Sequence, residues 1–162
     1  MSAELRTEFV GAADAIKALR KIDPDLRKQF TKDVKQIAQP IVSVAQNAYP
    51  AEYLSGMTRK WAPRGRPIMP YSQKKARSGV QARVDTKRGA TAVIAVVQRD
   101  AAATIVDMAG KRNANPLAAA LDRFGRPSRV MWPAAERNLD QVSRELSQAV
   151  TDVMRQTSKE LA

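Results

Sequence analysis

The chain has 162 residues, a length that suits one domain with a core of ordinary size. Lys and Arg number 28 against 16 Asp and Glu, a formal charge of +12, so an acidic surface or polymer is the expected neighbour. Cysteine and histidine are both absent, which excludes disulfides, thiolate or imidazole zinc sites, cysteine nucleophiles and any histidine-based triad.

At the start of the chain Glu4 and Glu8 stand where a signal peptide would be basic, and no apolar run of membrane-spanning length follows. A protein soluble in the compartment where it is made is expected. Leu5, Thr7 and Phe9 alternate as in a short strand, and Ala12, Ala15, Ile16 and Leu19 are spaced like one face of a short helix. Asp23-Pro24 is a helix-start signal, because the carboxylate can cap free N–H groups and the proline ring fixes φ for the first turn. Leu26, Phe30, Val34, Ile37, Ile41, Val44 and Ala48 then advance by three or four, the stripe of a helix of about 25 residues and roughly 37 Å. Pro40 lies inside it, lacks an N–H and crowds the carbonyl of Gln36, so a kink is expected there. The helix should stop before Tyr49-Pro50.

Residues 59–88 differ in kind: ten Lys and Arg are opposed by Asp85 alone, so this stretch holds nine of the twelve net positive charges. Arg59, Lys60, Arg64, Arg66, Lys74, Lys75 and Arg77 fall in its first two thirds, among Pro63, Gly65, Pro67, Pro70 and Gly79, with no sustained period. Residues 57–79 are therefore read as one long basic loop or arm. VQARVD (80–85) alternates as a strand, TKRG (86–89) reads as a hairpin turn, and ATAVIAVVQ (90–98) reads as a second, more apolar strand. Residues 102–110 are expected to add a third, antiparallel strand, with a helix or an irregular edge as the alternatives, because Ala and Met weaken strand propensity.

PLAAALDRF suggests a short helix ended by Gly125 and followed by Arg126-Pro127. Trp132-Pro133 opens the last element, where Ala135, Leu139, Val142, Leu146, Val150, Val153, Thr157 and Leu161 advance by three or four over about 28 residues. No internal repeat is visible. The expectation is a single α+β domain over 1–162: a small antiparallel sheet packed by a long helix from the N-terminal half and a long C-terminal helix, with the basic arm extending from it. An apolar stripe about 40 Å long is more than a small sheet covers, so it either closes one core or partly meets another subunit.

No glycine belongs to a phosphate-binding GxxxxGK[ST] run or shows dinucleotide-fold spacing. Asp100, Asp107 and Asp122 lie on different elements; they could converge on magnesium, but surface or capping roles are the ordinary reading, and no metal, cofactor or catalytic residue is assigned. The arm has three readings: contact with a phosphate backbone, with Trp61 and Tyr71 stacking on bases; docking among protein neighbours in an assembly; or a solvated loop.

The order of these features carries a resemblance. A long helix is followed by Pro50 and Ser55-Gly56-Met57, then a basic loop, a β-hairpin, an Ala-rich segment ending in Asp107 and Gly110, and Met131-Trp132-Pro133-Ala134-Ala135-Glu136 at the start of a terminal helix. This resembles the tail-completion, neck or head–tail joining proteins of long-tailed bacteriophages over nearly the whole chain. Ser55-Gly56-Met57 stands where that family has Thr-Gly-x-Leu, and Trp132-Pro133-Ala134 where it has Arg-Pro-Ala after an apolar pair. The loop from Met57 to Gly79 is longer and more basic than the family pattern requires.

The resemblance implies a non-enzymatic structural protein of the virion, assembled in the host cytoplasm, with no membrane contact. It implies a homo-oligomeric ring, sixfold by expectation, that joins the tail tube or tail terminator to the head-closure and connector proteins around the DNA channel. Arg59, Lys60, Arg64, Arg66, Lys74, Lys75 and Arg77 would then touch neighbouring neck proteins or genomic DNA. Ser55, Gly56 and Met57 would shape the start of the arm, and Trp132 and Pro133 the start of the last helix. A free basic nucleic-acid-binding protein is the alternative, and a carboxylate–metal nuclease a more distant one.

Overall fold

The computed structural model describes residues 3–10, 24–57, 70–85, 91–110 and 116–160. The fold is α+β, with two long amphipathic helices packed on a small sheet. In chain order the elements are β1 (Ala3–Val10), α1 (Pro24–Ile37), α2 (Gln39–Ala48), α3 (Gln73–Gly79), β2 (Val80–Asp85), β3 (Thr91–Gln98), α4 (Ala101–Met108), α5 (Pro116–Leu121) with a 3-10 turn at Asp122–Phe124, and α6 (Met131–Glu160). The sheet has three strands in the order β1-β3-β2, with β2 and β3 the antiparallel hairpin pair. The short helix expected around 12–20 lies outside the described residues.

The rod expected from 24 to 48 is interrupted at Ala38. Without an N–H at Pro40, the carbonyl of Gln36 has no partner four residues on, so the first helix ends and Pro40 falls in the first turn of the next, where proline is tolerated. Ala38 N–H still donates to Val34 O at 3.3 Å, so the break is a local turn.

The segment expected as a third antiparallel strand is instead the helix α4, and the third strand of the sheet is β1. Asp100 caps α4: its Oδ2 accepts from Ala103 N–H at 2.9 Å, and the Thr104 hydroxyl donates to Asp100 O at 3.0 Å. Residues 73–79, read from sequence as part of a loop, are the helix α3. The arm is therefore shorter than 57–79 at its C-terminal side.

The chain divides into two compact units. One holds α2 from Val42 onward, α3, α4, α5 and α6 through Glu136; its buried residues include Ala45, Tyr49, Val80, Ala103, Val106 and Leu121. The other holds α1, the hairpin strands from Ala82 through Val96 and α6 from Arg137 onward, with Phe30, Val34, Ile94, Val142 and Leu146 buried.

Candidate assembly site: a clamped base beneath a basic arm

All three tyrosines of the chain, Tyr49, Tyr53 and Tyr71, are buried in the first unit, near the point where the basic segment leaves and returns. Tyr71 N–H donates to Met57 O at 3.0 Å, which sets the two ends of the excursion side by side. Tyr71 Oη donates to Pro50 O at 2.7 Å, and Gln73 Nε2 donates to Tyr49 O at 2.9 Å, so the carbonyls freed where α2 stops at Tyr49-Pro50 are satisfied from the returning strand of chain. Tyr53 meets Tyr71 edge-on at 5.8 Å and Phe124 edge-on at 5.5 Å. Burial pushes the Tyr71 hydroxyl up to about 12, and the Tyr49 and Tyr53 hydroxyls higher still.

The departing end is shaped by Ser55-Gly56-Met57. Gly56 adopts φ +85°, its N–H donates to Glu52 Oε1 at 2.6 Å, and Met57 N–H donates to Leu54 O at 3.1 Å. Ser55 is exposed, whereas Gly56 and Met57 are half-buried. Arg59, Lys60, Arg64, Arg66 and Trp61 lie outside the described residues. Tyr71 is 2 % exposed and cannot stack on a base, which removes it from the roles expected of it.

Lys74, Lys75 and Arg77 are brought together on α3, all exposed, with no carboxylate partner among the described residues. Their platform is held at its far end by Gln98, whose Nε2 donates to Ala76 O at 2.8 Å and whose Oε1 accepts from Asp100 N–H at 2.8 Å. Arg99 N–H also donates to Gly79 O at 2.9 Å. A Cβ at Gly79 would collide with the Gln98 side chain and crowd Asp100, so glycine is what lets α3 come this close to the end of β3.

A second constellation fixes the start of α6. Asp107 is buried, and its Oδ1 accepts from Val130 N–H at 2.6 Å; it caps α6 from the end of α4. Burial raises its carboxyl above the ordinary range, against the lowering pull of the Val130 and Met131 N–H groups and of Arg129. Arg129 donates from Nε to Leu121 O at 3.1 Å and from Nη1 to Val106 O at 2.9 Å and Asp107 O at 3.1 Å, and its Nη2 lies 3.5 Å from Asp122 Oδ1. Asp107 Oδ2 and the Tyr49 hydroxyl are buried without a hydrogen-bond partner. Gly110 faces Pro127, so the acid and the glycine of the sequence motif both serve the junction between α4 and α6. Trp132 is half exposed at 52 %, its N–H donating to Ser128 Oγ at 3.1 Å, and Pro133 sits in the first turn of α6.

The three aspartates considered together in sequence thus have separate structural duties: Asp100 caps α4, Asp107 caps α6, and Asp122 faces Arg129. Among the described residues no group of three His, Cys, Asp or Glu is placed to hold a metal ion, and no helix is long and apolar enough to cross a membrane. Tyr49, Tyr53, Gln73, Gln98 and Arg129 were not legible as site residues. The available signal was the gathering of every tyrosine within residues 49–71 of a chain that is 5 % aromatic.

Comparison of the chain with family models, with curated proteins and with solved structures yields no match.

Proposed function

We propose that the protein is a structural subunit of a phage neck, a ring-forming tail-completion protein that links tail to head connector around the DNA channel and carries out no reaction. The observation that supports this reading is the clamped arm. A cationic excursion leaves at Met57, returns beside it at Tyr71 and runs directly into the exposed Lys74, Lys75 and Arg77 of α3, so the base is rigid and the charge is directed outward. A tied-off loop on a fixed platform suits insertion between neighbours, because ordering it on assembly involves few residues beyond the arm itself.

The test is genetic and structural. Mass spectrometry of purified particles should find this chain, and particles without it would overturn the reading. Changing Arg64, Arg66, Lys74 and Lys75 together to Gln should leave the isolated protein's thermal unfolding within about 0.5 kcal/mol of wild type, since surface substitutions act weakly on stability. The same variant should lower the yield of joined, infectious particles. Equal infectivity would remove the arm from the assembly.

A further inference from the structure

We infer that the distal half of α6 is a contact between copies of this chain, made through the edge that carries Leu139, Val150 and Met154. This concerns the isolated protein and does not require that the copies sit in a virion.

The helix outruns its own core. Leu146 is its last buried residue; beyond it, among the described side chains, Ala149, Val150 and Val153 are half-buried and none is buried. The apolar stripe nevertheless continues. At 100° per residue, positions 139, 150 and 154 lie within about 60° of one another on one side of the core-facing line of Val142 and Leu146. Leu139 is 38 % exposed and Met154 55 % exposed, so this edge presents apolar surface from end to end. Beside it runs a shallow trough of about 480 Å³, with Ser143, Ser147 and Thr151 in its lining. The hydroxyls of Ser147 and Thr151 are satisfied within the helix, each donating at 2.9 Å to the carbonyl four residues back, so covering them strands no donor.

Charge selects the occupant. The chain carries +12, yet α6 holds five acidic and four basic residues, a net −1, which leaves +13 on the remainder. Two copies repel wherever the excess sits, and α6 is the long helix that adds nothing to that repulsion; α1, by contrast, carries +2. A nucleic acid needs an excess of cations that this edge lacks, and a helix lying on a membrane carries a polar face rich in Lys and Arg. An acidic partner is drawn to residues 59–88. A second copy of this chain is the partner whose approach the edge favours by both apolar surface and charge.

The chain has no cysteine, so a single introduced thiol reports on contact without background. In nuclease-treated protein at high concentration, Met154→Cys should give about tenfold more cross-linked dimer than Ser43→Cys, an exposed control on α2, because thiols at a contact see a raised effective concentration. Sedimentation should find wild type heavier than the 17.8 kDa monomer at that concentration, and Leu139→Glu with Met154→Glu shifted to monomer. If the two cysteine variants cross-link equally, or the double Glu variant associates as wild type does, the copies meet elsewhere and the inference falls while the neck reading stands. If particles lack the chain but Met154→Cys cross-links as expected, the neck reading falls and the inference stands.

Discussion

Asp107 shows how a single side chain can be indispensable as an acceptor and unfavourable as a charge. Its Oδ1 takes the 2.6 Å hydrogen bond from Val130 N–H that starts α6, while burial works against ionisation. The folded-state pKa lies above the ordinary 3.8, so just above 3.8 the folded chain keeps a proton that the unfolded chain has released. Stability contributed this way is present at low pH and is lost as pH rises from 3.8 through the raised value; above that it stays constant. Asp107→Asn keeps an oxygen acceptor and removes the titration. Urea unfolding of this variant should show none of Asp107's fall in stability with pH, and its midpoint at neutral pH should equal or exceed that of wild type. Asp107→Ala leaves Val130 N–H buried and unpartnered, and should cost about 1–3 kcal/mol at every pH. Equal pH dependence in wild type and Asp107→Asn would show that the carboxyl titrates normally.

At the scale of elements, legibility followed the size of the side chains that face inward. α6 and the α1–α2 rod were readable because Val142 and Leu146, or Phe30, Val34 and Ile41, repeat as large apolar residues at helical spacing, and Pro40 marked the interruption. α3 escaped because its buried face is Ala76 and Gly79 alone, which a hydrophobic period cannot register amid Lys74, Lys75 and Arg77. α4 was misread as a strand because Ala102, Ala103 and Asp107, which bury, do not count as apolar anchors, whereas Thr104 and Val106 mimic alternation. Its decisive local signal was Asp100, whose carboxylate satisfies Ala103 N–H. The clamp beneath the arm was illegible for a different reason: Tyr71 with Pro50, Gln73 with Tyr49 and Arg129 with Leu121 are side-chain to backbone bonds between distant residues, and neither composition nor period encodes them. Asp100→Ala isolates the capping contribution. It should lower unfolding free energy by about 1 kcal/mol, within the range of roughly 0.5–2 kcal/mol for lost N-caps, and Asp100→Asn should restore most of it. No loss in the alanine variant would mean that packing alone holds α4.

For the whole molecule, the uneven charge separates a free nucleic-acid binder from a subunit that acts in an assembly. The cations are concentrated in residues 59–88, while α6 is nearly neutral and keeps Leu139 and Met154 exposed. If DNA binding belongs to single copies, Leu139→Glu with Met154→Glu leaves it unchanged, because the two Glu substitutions lie far along the chain from the arm. If DNA is held by several copies together, binding by wild type rises more steeply than linearly with protein concentration, and the double Glu variant loses both the steepness and most of the affinity, as expected when avidity is removed. Salt supplies the independent check: each phosphate contact contributes about −0.9 to the slope of log affinity against log salt, so changing Lys74, Lys75 and Arg77 to Gln should reduce the slope of one copy by at most about 2.7. Fluorescence anisotropy on a DNA duplex, with protein concentration and salt varied in turn, measures both quantities. Identical concentration dependence for wild type and the double Glu variant would return the free-binder reading to first place.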